Sequence, residues 1–594
     1  MADARNPKPV KNNGTYIFSD FSVGLYYLDT PRSLGEQLAS LALVGGRNVW
    51  AEKGALVAQY GYLNKGQIES PDRIVAITKD SQSASTFFIV TLLGKVYLYT
   101  AAQGLKQYKS SFETMSSDPI VARRGSDLII NTEGQTYLFG SYYDDSSVTT
   151  IDENVEVADF TSYYEFTVPL TSLVYYWNGK HLCVNNEDHV TVTAVVVNEE
   201  NEEVTVRAVS VGEHKLYSEN VTLSEKCVFP ISLTYKPEDT GIDSRTITPV
   251  LMEVCINRLF IVDVSGDIFY SQIGVLNNFN EADGAGYFGG FYNDVSRTLD
   301  LEDFLQGCLI CKENGIYHLT IGDTVNIQKL AQVGQQYASD HVIIREKVYC
   351  YDSNSGQIVI AAQQNVFGSL VAGKTIVSAE YLNAQDSGIA NTKRFLVYNA
   401  EQEVLILYYG EQLNEGIVLT SVGTLFPRQL DKPMDFYIGF NQGVVGISAS
   451  GDILEDFKKG TIVPNLSAIA DFEAIGVRDN RIISSGILEI TELNGIDYTV
   501  TTTNATTSYQ IIKPPSMRGI EDTMLPPLLY SDYKNNNIYD SYSLTSKWAA
   551  KTSNVTRVYA PMSGRSGVSL TVEFPENVAF CLAALRLPDF SQGE

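Results

Sequence analysis

Histidine and basic side chains are scarce in this 594-residue chain. There are five histidines, and 43 Lys and Arg stand against 70 Asp and Glu, giving a formal net charge of −27 at pH 7. A protein that grips nucleic acid neutralises phosphates with clustered Lys and Arg. That class is therefore excluded, whereas nucleic acid passing without adhesion is not. Acidic charge also serves plain solubility. Arg123-Arg124 and Lys458-Lys459 are isolated basic pairs and read as solvated. No apolar run reaches the roughly 18 residues of a membrane span. The N-terminus, MADARNPKPVKNNG, lacks the apolar core of a secretion signal.

The chemistry of common active sites is missing as well. His181, His189, His214, His318 and His341 never pair at metal-ligand spacing. The seven cysteines are odd in number and scattered through apolar segments, as buried thiols of a reducing compartment would be. Cys308 and Cys311 form a CxxC, but on a strand residues three apart point to opposite faces and cannot clamp one ion. No Gly-x-Ser-x-Gly elbow and no phosphate-binding glycine loop occurs. Acidic neighbours such as Asp144-Asp145 and Glu302-Asp303 are not, by themselves, the separated carboxylate pair of a glycosidase. No catalytic residue, cofactor or metal ligand is assigned, and the expectation is a protein that is not an enzyme.

What is abundant is β-forming sequence: 36 Tyr, 25 Phe and many Val, Ile and Thr. One unit recurs, an apolar run, a short polar turn and a second apolar run. It appears around Gly94, Gly134, Gly266, Gly315 and Gly356, around Gln402 without a glycine, and around Gly451. The turn chemistry marks each as an antiparallel hairpin. The turns recur every 40–50 residues or so, the signature of four-stranded propeller blades. The interval between 134 and 266 holds one repeat plus roughly 90 residues. The reading is an all-β chain: a β-propeller of about seven blades with an inserted small β domain and a C-terminal β domain.

The expected divisions are an N-terminal arm (1–20), first propeller blades (21–159), an inserted β-sandwich-like domain (160–245), remaining blades (246–480) and a C-terminal β domain (481–594). The insertion contains two alternating strands joined by a turn carrying Glu199, Glu200, Glu202 and Glu203. That cluster lacks the alternating ligands of a calcium loop and reads as a solvated turn. Residues 274–300 form a Gly/Asn/aromatic loop of the kind that makes interfaces.

Three stretches, taken in order, resemble the tail nozzle (tail tubular or tail hub) proteins of short-tailed, double-stranded DNA bacteriophages. They are GLYYLDTPRSL with GGRNVW, GALV and QYGY near the start; NRLFIVDVSGDIFYSQIGVLNNFN (257–280) followed by LICKENGIYHLT; and APMSGRSGVSLTVEF with FCLAALRL at the end. The bend Arg565-Ser-Gly567 departs from the further basic residues such proteins often carry there. The resemblance implies a structural virion protein with an inserted domain between its early and later propeller blades, forming a six-fold ring of this chain below the portal and a head-to-tail adaptor and contacting tail fibre or tailspike proteins. Double-stranded DNA would pass its channel without specific binding. The location implied is the virion tail, after assembly in the host bacterial cytoplasm. The acidic residues Glu199, Glu200, Glu202 and Glu203 are candidates to face that channel. The rival expectations are a propeller-type polysaccharide hydrolase or lyase and a carbohydrate-binding propeller.

Overall fold

The computed structural model describes residues 43–68, 72–79, 86–109, 118–125, 127–132, 245–276, 294–322, 324–366, 369–376, 392–440 and 443–475. It also describes strands between 135 and 237, strands at 10–18, 483–510 and 555–588, and a few short pieces beside them. Most of this is a ring of antiparallel sheets.

Seven sheets follow one another along the chain as blades. Blade 1 comprises Ile74–Lys79, Thr86–Thr91, Val96–Thr100 and Gly104–Lys109. Blade 2 has Ile120–Arg124, Asp127–Thr132 and Gln135–Phe139. Blade 3 runs from Pro249–Cys255 to Gly286–Phe288, and blade 4 from Thr298–Phe304 to Val325–Ala331. Blade 5 runs from His341–Ile344 to Ser369–Ile376, and blade 6 from Phe395–Asn399 to Leu425–Gln429. Blade 7 takes three strands from Met434–Phe440, Gly443–Ser448 and Asp452–Asp456. Its fourth is Tyr62–Gln67, from the other end of the chain, antiparallel to Asp452–Asp456. That ladder closes the ring. The polar sequence YLNKGQ gives no alternation that would have announced it.

The hairpins at Gly94, Gly134, Gly266, Gly315, Gly356 and Gly451 each join the second and third strands of a blade, so they are equivalent. Gly94, Gly266, Gly356 and Gly451 take positive φ there, which only glycine adopts without steric cost. Gly315 does not; its missing Cβ instead leaves room for the Ala331 carbonyl, which a Cβ would meet at 3.2 Å. The Gln402 hairpin is the exception. It joins the first and second strands of blade 6, and the equivalent turn lies between Val404–Tyr409 and Glu415–Leu419.

A blade buries both faces, so its middle strands lose the usual apolar–polar alternation. Gly307–Lys312 and Gly443–Ser448 are buried at every position. The core is accordingly a succession of clusters shared by neighbours: Phe87 and Tyr99 with Phe440 and Val445 between blades 1 and 7, Phe260 with Ile310 between 3 and 4, Leu309 with Val348 between 4 and 5. Cys308 joins the blade 3–4 cluster and Cys311 the blade 4–5 cluster, on opposite faces as their spacing requires. Fully buried ion pairs fasten blades together. Arg394 grips Asp340 between blades 5 and 6, and Arg428 meets Asp456 between 6 and 7. Arg123 and Arg124 are not solvated as expected. Arg123 is buried over the Phe88 ring and donates to the Thr86 carbonyl, and Arg124 pairs with Asp127. Lys458 pairs with Glu401 and Glu455, while Lys459 is exposed.

Strand pairings also redraw the expected divisions. Val10–Asn12 and Thr15–Phe18 are not a free arm, because Thr15–Phe18 pairs with Cys581–Pro588. Gly45–Arg47 and Ala55–Ala58 join the two C-terminal sheets, as does Ala468–Ile475. The terminal β unit is thus built from both chain ends. In the insertion, Thr149–Val157 already pairs with Cys227–Pro237, so its sheet starts before residue 160. Val190–Val197 lies on the other side of Cys227–Pro237 and turns back through Glu203–Val204, whereas Val206–Val209 moves to a separate sheet. Half of the 274–300 stretch is structural. Gly286–Phe288 is the outer strand of blade 3, and Phe291 packs on Tyr317 of blade 4 at 4.6 Å between ring centroids.

Candidate functional site

The first strands of all seven blades line one axial cavity of about 830 Å³. Its walls are mostly apolar, with Ile77, Val121, Met252, Ile343, Leu396 and Ile438 among them. Its charged and titratable lining includes Lys79 from blade 1, Glu253 from blade 3, Asp300 and Glu302 from blade 4 and His341 from blade 5, with Asp303, Arg345 and Glu403 besides. The topology explains the meeting. Asp300 and Glu302 are two apart on one strand and share a face. His341 begins the next blade's inner strand, fixed by the short helical turn Ala338–Asp340. Lys79 ends the inner strand of a blade across the ring.

Lys79 Nζ lies 2.6 Å from Glu302 Oε1. His341 Nε2 lies 3.6 Å from Asp300 Oδ2 and 3.7 Å from Glu302 Oε2. These two separations exceed a hydrogen bond, so Nε2 of His341 has no hydrogen-bond partner, while the Ala338 backbone lies within reach of the ring. The His341 side chain is 1% exposed, those of Asp300 and Glu302 23% and 16%. The carboxylates therefore reach only the water of the cavity, inside a surround of protein.

Three carboxylates face one lysine, and the protonation states follow. Burial, then the charges of Asp300 and Glu302, push Glu253 well above the usual carboxylate range. Burial and Glu302 do the same to Asp300. Burial would raise Glu302 too, but Lys79 and His341 outweigh it and hold it below its ordinary value. Burial would lower Lys79, yet Glu302, Asp300 and Glu253 hold it up. Burial lowers His341 despite Glu302, leaving a neutral imidazole at pH 7. The neighbouring Asp303 does not join; its carboxylate accepts the Ile256 N–H of blade 3.

Reading along the chain missed this constellation because its members come from different blades. Among the expected channel-facing residues, Glu199, Glu200 and Glu202 lie outside the described residues, as do Asp144, Asp145 and the Arg565 bend. Glu203 opens the strand Glu203–Val204, its backbone opposite Val197. Among the described residues no helix is long and apolar enough to cross a membrane.

No family model and no curated protein matches the chain. Among solved structures it is similar to a catalytically inactive virginiamycin B lyase from Staphylococcus aureus with quinupristin, at 9% identity and a TM-score of 0.29, over 66% of this chain and 97% of that one. It is similar to YCF48 bound to D1 peptide at 9% identity and a TM-score of 0.32, over 72% of this chain and 100% of that one. It is also similar to BamB from Moraxella catarrhalis at 10% identity and a TM-score of 0.30, over 70% and 96%. Likeness at that level carries no weight for function, and the propeller rests on the strand ladders themselves.

Proposed function

We propose that this chain is a structural virion protein, the tail nozzle of a short-tailed bacteriophage, forming a six-fold ring that extends the DNA channel below the portal and adaptor. The observation that carries the reading is the order of parts. Two blades, an inserted β unit, five further blades and a terminal β unit follow the layout that the sequence resemblance implies. The net charge of −27 supports it physically. Duplex DNA carries one charge per ~1.7 Å of axis, so a basic wall would hold it, and an acidic one leaves it free to move. A single propeller is no conduit, since its axial cavity is small and crossed by the Lys79–Glu302 pair. The bore forms between chains, with contacts from loops and the terminal β unit, because propeller edges are short and protected. Electron microscopy of the purified full chain tests this. Six-fold rings with an open bore are expected; monomers, or a ring lined chiefly by Lys and Arg, overturn it.

One observation favours the alternative, a propeller-type polysaccharide hydrolase or lyase. Glu253 and Glu302 share a cavity and titrate on opposite sides of the ordinary carboxylate value, the pattern of an acid and a base. That reading requires turnover of a polysaccharide, lost in Glu253→Gln and Glu302→Gln. A purified chain inert on bacterial surface polysaccharides removes it.

A further inference from the structure

We propose that Asp300, Glu302 and His341 bind one divalent transition-metal ion on the propeller axis, tying blade 4 to blade 5. One ligand atom from each lies within 4.8 Å of the others. Two ligands at about 2.0–2.2 Å from a tetrahedral ion stand roughly 3.3–3.5 Å apart. The 3.6 and 3.7 Å from His341 Nε2 exceed that by a few tenths of an ångström, and the two carboxylates lie within 4.8 Å of each other.

An independent observation points to a ligand. The His341 side chain is buried, and its Nε2 lacks a hydrogen-bond partner. A buried polar group is nearly always partnered, and Nε2 is aimed at the two carboxylates. A neutral imidazole is the form that donates a lone pair to a metal. The charges agree. Glu253, Asp300 and Glu302 exceed Lys79 by two negative charges when all are ionised, and a dication balances them. Lys79 occupies Glu302 Oε1, leaving Oε2 for the ion.

The donor set selects the ion. An imidazole nitrogen with two carboxylate oxygens suits Zn²⁺, Co²⁺ or Mn²⁺ and not Mg²⁺ or Ca²⁺, which take oxygen. Three protein ligands leave a fourth position to cavity water. The inference does not depend on the nozzle reading: a propeller of any function would hold the ion, and a ring lacking it would still be a ring.

The test uses the full chain, stripped with EDTA and dialysed, then titrated with ZnCl₂ by calorimetry and with CoCl₂ by visible absorption. One high-affinity Zn²⁺ per chain, cobalt ligand-field bands and a Zn²⁺-dependent rise in melting temperature are expected. MgCl₂ in place of ZnCl₂ should produce no such rise. His341→Gln should weaken Zn²⁺ at least about 100-fold, since loss even of an outer partner costs ~10–100-fold, and should abolish the cobalt bands. Asp300→Asn is the second variant and should do likewise. His318→Gln, whose ring faces the Phe304 carbonyl instead, should keep both signals. The proposal is overturned if the wild-type chain binds no Zn²⁺, or if a folded His341→Gln or Asp300→Asn chain keeps the wild-type affinity and cobalt spectrum.

Discussion

Replacing Arg394 with methionine should loosen the ring at the joint between blades 5 and 6. The Arg394 guanidinium is fully buried. Nε donates to Asp340 Oδ1 at 2.9 Å and Nη2 to Oδ2 at 3.0 Å, a two-pronged pair, while Nη1 donates to the Ile389 carbonyl at 2.8 Å. Its face lies 4.7 Å from the Tyr351 ring centroid. Asp340 also accepts the Gln336 and Tyr337 N–H groups. In Arg394→Met the carboxylate keeps those two donors but loses its countercharge in a site without solvent. Breaking a buried pair this way costs about 3–5 kcal/mol. With a urea dependence above the ~1–3 kcal/mol/M of small domains, the midpoint should fall by about 1 M. Asp340→Asn should cost a similar amount. The double variant should cost less than the sum of the two, because it leaves no buried charge alone, and the coupling should reach about 2 kcal/mol. Urea unfolding followed by tyrosine and tryptophan fluorescence measures all four corners of the cycle. If Arg394→Met moves stability by no more than ~0.5 kcal/mol, as surface changes do, the pair is not a fastener and the account of the blade 5–6 joint fails.

Asp294→Asn should destabilise the chain in a pH-dependent way. Burial would raise the Asp294 carboxyl, but hydrogen bonds from Ser296 and Tyr317 and the Lys312 charge hold it below the ordinary value. A depressed folded value contributes stability that is present above the ordinary ~3.9 and is lost as pH falls through the folded value. Asp294→Asn should therefore cost about 2 kcal/mol at pH 7, as for hydrogen bonds to a charged group, and the gap from wild type should shrink in melts below pH 4; an equal gap at both pH values refutes it. A chain begun after Gln67 should lose the ring-closing strand and expose the Asp452–Asp456 edge. Gel filtration should show aggregates or swapped oligomers, and a monomer as stable to protease as wild type would contradict the closure.

The blades were legible because their signal is local and repeated. A glycine turn between two apolar runs needs no distant partner to be recognised, and six of the seven hairpins fell in equivalent places. Gln402 misled because Ala400–Glu403 and Gly410–Asn414 both end apolar runs, and only the ladder shows that the second turn corresponds to the others. What stayed hidden is what the chain joins over long distances. Tyr62–Gln67 is polar and shows no period, yet it completes blade 7. The strand at residues 15–18 looked like a polar tail because its partner, Cys581–Pro588, is at the opposite end. Arg123 looked solvated because its burial over Phe88 depends on the neighbouring blade. The axial cluster needs the ring itself, since Lys79, Asp300 and His341 are neighbours only once seven blades close.

The proposed ring would have two acidic spaces, the axial cavity of each propeller and the bore between chains, and they would obey different physics. On the axis, Glu253, Asp300 and Glu302 gather around Lys79 in a cavity of about 830 Å³ whose lining also carries Asp303, Glu403 and Arg345. The Lys79–Glu302 pair crosses that space, so it is no path for a duplex. Burial governs this space, so protonation or a bound cation settles its charge. Most of the chain's formal charge of −27 lies outside the axis. Water and salt govern those charges, and at physiological ionic strength each acts over only about 8 Å. In the proposed ring, carboxylates would influence passing DNA only where assembly brings them that close to the bore. Glu199, Glu200, Glu202 and Glu203 matter to DNA passage only if the hairpin from Val190–Val197 to Glu203–Val204 points inward, and their number alone cannot substitute for that placement.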